Sequence, residues 1–432
     1  MAAAIERHGL LERIGLPRPL FWGFVGTLLF MVGDGVESAY LSPFLVHRGL
    51  SEHAVAILVT VYGIAAAVSS WLSGALSDLI GPRRVMLLGL LIWIVFQVLF
   101  LTLAIPSTSY GLMLLFYGLR GFGYPLFAFG FLVWIVLTVQ PSRLGSAVGW
   151  FWFAFTGGLP TLGSAFARGA IPLVGTYATL WLALVLVVGG GLVAIWGIQD
   201  REGGKKPAGG SATPFRTLLH SFDIVRTHPK VGLGCLVRAV NTSAEFGFLV
   251  MLPIYFTQTL HFTLAQWLEV TTCIFASNIV GNLLSGVVSD RLTWRRTIML
   301  VGGVGCTITT LLLYYVPTTY GPDGMGLTLV AGALYGLTLA GYVPLSALMP
   351  YLAPEDKPAA MSMLNLGAGA SVWIGPAIVA LFQGSVGVLG VMCIYAAIYL
   401  SSAVMAYFLV LDPAVEAQVE ADRAAGTLVG GH

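Results

Sequence analysis

"GALSDLIGPRR" at residues 74–84 and "GVVSDRLTWRR" at residues 286–296 carry Gly, Ser-Asp and Arg-Arg at matching places, 212 positions apart. A second pair, "YGLRGFGYPL" from residue 117 and "YGLTLAGYVPL" from residue 335, repeats at an offset of 218. Two matches at nearly one offset make the chain a tandem repeat. Each loop copy lies between apolar runs. Same-direction repeats of six membrane spans are a transporter architecture, with the cargo site between the halves at mid-membrane.

Working outward, we find twelve apolar segments of about 20 or more residues, enough to cross a bilayer core. They run 19–46, 51–79, 84–104, 109–138, 143–168 and 175–198, then 231–258, 264–290, 296–316, 325–352, 358–383 and 386–411; we number them spans 1 to 12. The expected fold is therefore an all-α membrane protein of twelve transmembrane helices in two pseudo-symmetric six-helix bundles. Its parts are an N-terminal bundle at 1–198, a cytoplasmic linker at 199–230, a C-terminal bundle at 231–412 and a tail at 413–432. The polar, Gly/Pro-interrupted linker leaves room for a short surface helix near Phe215 to Val225.

Composition agrees. Only 9% of the 432 residues are charged and 57% are hydrophobic, against about 25% charged in soluble domains. The net charge of +2 is too small to imply a nucleic-acid partner. The first apolar run is long enough to be a retained span and not a cleaved signal. Cys235, Cys273, Cys306 and Cys393 form no CxxC or Cys/His pattern, so they read as small buried hydrophobes. No metal or cofactor is expected. With both termini inside, cytoplasmic segments hold 17 of the 21 Lys and Arg, a strong positive-inside bias. The expected setting is a cell (inner) membrane, with the chain a multi-pass monomer.

"FMVGDGVESAY" (residues 30–40) places Asp34 and Glu37 inside span 1. Each charge costs about 2.5–3.5 kcal/mol at a helix centre on insertion scales. Three residues apart, they share a helix face and are expected to look onto a central cavity, since lipid cannot solvate them. Two carboxyls crowded in a desolvated place resist joint ionisation, so one of them can exchange a proton near neutral pH. Which one remains open. The competing role is a structural ion pair from span 1 to span 4 through Arg120, a fixed cation that cannot itself carry the proton.

Span 7 carries Arg238, Asn241 and Glu245 on one helical stripe. Asn241 is the favoured substrate contact, because its amide donates and accepts. Further candidates are Asn278 and Asn282 in span 8, Asn365 and Trp373 in span 11, Gln97 in span 3, and Trp150 and Trp152 in span 5. For any one aromatic, packing or lipid contact competes. In the loop motifs, Gly74 permits close helix contact. Asp78 can cap a neighbouring helix or pair Arg83 and Arg84, latching the cytoplasmic side in an outward-open state. Gly286, Asp290 and Arg295 would act likewise in the second copy. The arginines also suit simple topological anchoring.

These residues resemble the major facilitator superfamily, whose loop motif Gly-x-x-x-Asp-x-x-Gly-x-Arg-Arg is met by Gly74, Asp78, Gly81, Arg83 and Arg84. The second copy keeps Gly286, Asp290, Arg295 and Arg296 but has Thr293 in place of the second Gly. That departure weakens the turn argument in the second half. Arg120 in "LRGFG" matches the family's span-4 arginine. A closer resemblance is to the polyol permeases, through "GDGVE" in span 1, "LFYGLRGFGYPLF" in span 4, "GWFW" in span 5 and "VRAVNT" in span 7. It implies proton-driven import of a pentitol such as ribitol or D-arabinitol, with polyol and proton as partners within the lipid bilayer.

The competing cargo is a small organic anion such as a 2-oxo-dicarboxylate, clamped by Arg120 and Arg238. Against it, those two arginines with Asp34, Glu37 and Glu245 sum to −1. A non-transporting sensor would need a larger soluble module than the tail supplies. An intramembrane enzyme would need a nucleophile or metal cluster, and neither HExxH nor a Ser/His pairing is present in the spans.

Overall fold

The computed structural model describes residues 16–38, 40–139, 141–199, 224–413 and 416; among these, every regular element is helical. Most of the expected linker, its surface helix and the tail lie outside the described residues. Nine helical runs among the described residues are long and apolar enough to cross a membrane. The last of them, Met363–Tyr407, is two spans, because Gly387 at φ 67° breaks the helix between them. The helical run 141–174 and the helix Leu264–Leu292 are also long enough to cross. The described residues thus form the twelve expected spans. Their outward faces are greasy: Val185 is 65% exposed and Val404 57%, which suits acyl chains and not water.

The tandem repeat is exact where local chemistry sets helix ends. Span 2 is Glu52–Ile80 and span 8 is Leu264–Leu292, so both ends repeat at an offset of 212. Each starts on a hydroxyl cap. Ser51 accepts from the Ala54 N–H at 3.2 Å, and Thr263 forms a capping box with Gln266, satisfying amides the helix leaves unpaired. Each ends on positive φ: Gly81 at φ 88°, ψ 145° and Thr293 at φ 73°, ψ 153°. The missing glycine therefore did not change the turn. The second half makes the same turn with a β-branched residue, in a region nearly reserved for glycine.

The glycines of "GDGVE" explain how span 1 is oriented. A Cβ on Gly35 would lie 1.5 Å from the Leu159 carbonyl oxygen of span 5, and one on Gly33 2.7 Å from the Ala183 oxygen of span 6. Span 5 makes a π-helical turn at Gly157–Leu162 just there. Backbone-to-backbone docking of this kind needs small residues. It turns the acids toward spans 3 and 4. Around them lies an aromatic core in which Phe30 stacks on Phe127 at 4.0 Å with Trp93 edge-on at 6.2 Å.

The halves meet at the rim opposite the two Arg-Arg loops. One apolar cluster runs from Val36, Tyr40 and Leu45 of the first half into Phe248, Leu252 and Phe256 of the second. At the same rim Arg168 donates to Glu269 at 3.1 Å and Gln383 donates to Glu52. Spans 2 and 11 also touch deeper in, where a Cβ on Gly63 would be 2.7 Å from the Val372 oxygen.

Candidate functional site

Two polar constellations stand partway along the spans, one in each half. In the first, Trp93 Nε1 donates to Asp34 Oδ1 at 2.6 Å. Arg120 forms an ion pair with Glu37. Gln97 bridges the two, accepting from Arg120 Nη1 at 2.6 Å and donating to Glu37 Oε2 at 3.3 Å. The guanidinium also lies over the rings of Tyr117, Trp93 and Tyr62, 4.5–5.2 Å from their centroids, within cation–π range. Asp34 is 4% exposed, and Glu37 and Arg120 1% each.

This corrects the expectation that Asp34 and Glu37 look onto an open central cavity. The protein solvates them instead, with one cation, an indole N–H and an amide. Gln97, a candidate substrate contact, is fully buried as a bridge between spans 1 and 4. Trp93 was missed, although Trp93 and Gln97 are four apart in "WIVFQ" and so share the stripe facing the acids.

The second constellation is the stripe on span 7, helix Pro229–Ile254. Arg238, Asn241 and Glu245 are each half-buried. Arg238 Nη1 and Asn241 Oδ1 are buried atoms without a hydrogen-bond partner, and Arg238 has no ion-pair partner among the described residues. Buried polar atoms are nearly always paired, so this stripe is unfinished in the protein alone. Its backbone is held firmly: Tyr399 donates to the Asn241 carbonyl at 3.0 Å, and a Cβ on Gly367 of span 11 would lie 3.0 Å from Arg238 Cβ.

The remaining candidates divide. Asn278 donates to the Gly336 carbonyl at 3.1 Å and accepts from Asn282 at 3.3 Å; this pair ties span 8 to span 10 and is partly spent on packing. Asn365 is exposed and Trp373 half-buried; the Trp373 backbone is part of the contact with span 2. Trp150 packs edge-on against Phe153 at 5.4 Å, and Trp152 against Phe129, Phe151 and Phe155. Packing therefore claims these aromatics.

Of the expected latch, Arg295 Nη1 donates to the Tyr407 carbonyl at 3.0 Å, fastening span 9 to span 12 within one half. Arg83 is half-buried and Arg84 exposed. A Cβ on Gly74 would meet nothing within 4 Å, so the close contact expected there is absent in this conformation; the halves meet at the other rim. The side chains of Asp78 and Asp290, and the surroundings of Gly286, lie outside the described residues.

Comparison with known proteins supplies the context for this geometry. The model of the Major Facilitator Superfamily matches residues 23–267 and 234–429. The chain is 45% identical to the alpha-ketoglutarate permease of Bacillus subtilis (strain 168), over 94% of this chain and 92% of that protein. It is 36% identical to the D-arabinitol transporter of Klebsiella pneumoniae, over 92% of each chain, and 36% identical to the ribitol transporter of the same organism, over 91% and 92%. Among solved structures, the nucleoside transporter NupG superposes with a TM-score of 0.70 at 14% identity, over 91% of this chain and all of that one.

Proposed function

The chain belongs to the major facilitator superfamily, and from that premise we propose a proton-coupled carrier of small carboxylate-bearing metabolites, of the 2-oxo-dicarboxylate class. The observation that carries this reading is the unpaired Arg238. A guanidinium is always charged and its planar fork fits a carboxylate through two parallel hydrogen bonds. Left without a partner partway along span 7, it calls for an anion. The −1 sum that spoke against an anion does not describe the span-7 stripe. Glu37 and Arg120 cancel inside the first half, and Asp34 is sealed beside them. For the same reason the clamp has one arginine and not two. The relationship to an alpha-ketoglutarate permease supports the same class.

In this reading the N-half cluster is the coupling element. Moving a proton onto Asp34 or Glu37 breaks the charge balance around Arg120 and so biases one packing of spans 1, 3 and 4 over another. With the halves in contact at the rim opposite the Arg-Arg loops, this conformation is read as the one facing the basic, cytoplasmic side. The loop motifs, with Asp78 and Asp290, close that side in the opposite state. One chain in an inner membrane, both termini cytoplasmic, suffices for the cycle.

A pentitol is the second reading. It is favoured by the unpaired Asn241 Oδ1, an acceptor for a hydroxyl, and by the relationship to the D-arabinitol and ribitol transporters. Proteoliposome uptake separates the two. Under an imposed inward proton gradient, labelled 2-oxoglutarate should accumulate and collapse on adding an uncoupler, and excess D-arabinitol or ribitol should compete poorly. Strong uptake of the pentitols with no uptake of 2-oxoglutarate overturns the first reading in favour of the second.

A further inference from the structure

Spans 7 and 8 run antiparallel, and Glu245 and Phe248 of the one face Thr271, Ile274 and Phe275 of the other across a small cavity. That contact fixes which faces meet and at what level. Arg238 lies seven residues before Glu245, and Asn282 lies seven after Phe275 and eleven after Thr271. Such spacings keep Asn282 on the face that Thr271 and Phe275 turn to span 7. Seven residues are about 10 Å of helix, in the same direction on both spans. Arg238 and Asn282 therefore stand level, as do Asn241 and Asn278. Neighbouring contacts agree. A Cβ on Gly157 of span 5 would be 3.9 Å from Ile279 Cδ1, and one on Gly281 would be 2.8 Å from Ala340 Cβ beside span 10. At 3.6 residues per turn, Asn282 falls between those two sides.

A backbone group fixes how the amides are turned. The Gly336 carbonyl of span 10 accepts from Asn278 at 3.1 Å, so Asn278 must present its NH2 there. Its oxygen then faces Asn282, which donates to it at 3.3 Å. Each NH2 has two hydrogens and spends one. One N–H on each asparagine and the Asn282 oxygen are left over, with no other hydrogen bond among the described residues. Both side chains are half-buried and so can be reached.

Packing accounts for Asn278, which ties span 8 to span 10, but not for Asn282. Asn282 bonds only to its own helix, four residues back, and so joins no two spans. Nor does the repeat require the amides. At the offset of 212 their places in span 2 are taken by Ala66 and Ser70, and Ser70 donates to the Ala66 carbonyl at 2.8 Å. Amide groups left partly unpaired within a span cost free energy unless something fills them.

We propose that Asn278 and Asn282 form the far wall of the cargo site, where their two free N–H groups receive the cargo end opposite the one held at Arg238. On the carboxylate reading, on which this part rests, that end is the second carboxylate of a 2-oxo-dicarboxylate. Arg238 takes one carboxylate through its fork, and the amide pair gives the other two donors from one helix face. The site thus selects two-ended anions with a single arginine. A monocarboxylate of the same class engages Arg238 alone.

Calorimetric binding to the purified full-length protein tests this with 2-oxoglutarate and 2-oxopentanoate, which share five carbons and the 2-oxo-carboxylate end and differ in the second carboxylate. N282L should lower the preference for 2-oxoglutarate over 2-oxopentanoate by about ten- to a hundredfold, as expected for a lost hydrogen bond to a charged group. An unchanged preference overturns the proposal, including the case in which both acids weaken alike. If the wild type binds neither acid, the carboxylate reading fails, and D-arabinitol becomes the probe. Weaker D-arabinitol binding in N282L at an unchanged unfolding midpoint then supports the amide wall, since a terminal hydroxyl can use the same groups; unchanged binding overturns it. Should N282L fail to fold, N282A, which leaves room for water to bond Asn278, is read by the same outcomes.

Discussion

Spans 1 and 7 are symmetry-related, both carry ionisable groups at mid-membrane, and they treat those groups in opposite ways. In the first half, Asp34, Glu37 and Arg120 are almost wholly buried and knitted together through Trp93 and Gln97. In the second, Arg238, Asn241 and Glu245 are half-buried, with Arg238 Nη1 and Asn241 Oδ1 buried and without a hydrogen-bond partner. A paired network, short only of a partner for Arg120 Nε, stores interaction energy within one bundle, whereas an open stripe keeps it for something that arrives. The difference teaches that intramembrane charge is not one signal. It marks internal coupling where partners are at hand and recognition where they are missing.

That contrast can be broken experimentally, beginning with the largest effect. R120L strands Glu37 in a dry core, and removing one member of a buried pair costs about 3–5 kcal/mol. Thermal unfolding in detergent should show a large loss of stability; a near-native midpoint would place Arg120 in water. R238Q should do the reverse, leaving stability nearly unchanged while weakening carboxylate binding by about 2–4 kcal/mol, roughly 30- to 1,000-fold. Unchanged 2-oxoglutarate affinity in R238Q would remove the C-half stripe from recognition.

W93F deletes the indole N–H from Asp34, a hydrogen bond to a charged group worth about 1.5–3 kcal/mol. Unfolding of W93F should move down by less than that of R120L. A loss of substrate affinity without a loss of stability would mean that the first cluster touches cargo. T293G should raise stability by about 1 kcal/mol, since glycine enters positive φ without a Cβ penalty, and G81T should lower it. Equal stability of both variants with the parent would mean the two turns are relaxed. Smallest is R168A at the rim. Arg168 and Glu269 are 51% and 43% exposed, and exposed pairs give about 0–1 kcal/mol. Only a few-fold shift in transport rate is expected, read from initial uptake; a collapse of transport would make this pair a dominant gate.

Much of this was legible in the residues. The 212-residue offset of the loop motifs reappears at both ends of spans 2 and 8, because caps and turns are chosen by local chemistry. The ion pair of Arg120 with Glu37 was one of two open readings. Three things were not legible. The seclusion of Asp34 and Glu37 depends on Gly33 and Gly35 docking on spans 6 and 5, more than a hundred residues away. The bridging by Gln97 needs span 3 to pack against span 1, sixty residues earlier in the chain, as well as against its neighbour span 4. Thr293 shows that a residue poorly suited to a turn is held there when the surrounding helices require the turn.

By itself the sequence determined the count of spans, their tandem arrangement, the bias of Lys and Arg to one set of loops and which polar residues sit within the spans. Each of these follows from hydropathy, repeat spacing or a short-range rule. Only the tertiary structure decided which of those residues are satisfied inside the protein and which wait for a ligand. Partnership depends on the rotation and contact of helices distant in the chain, and the twofold repeat of the backbone did not oblige the two halves to pair their charges alike.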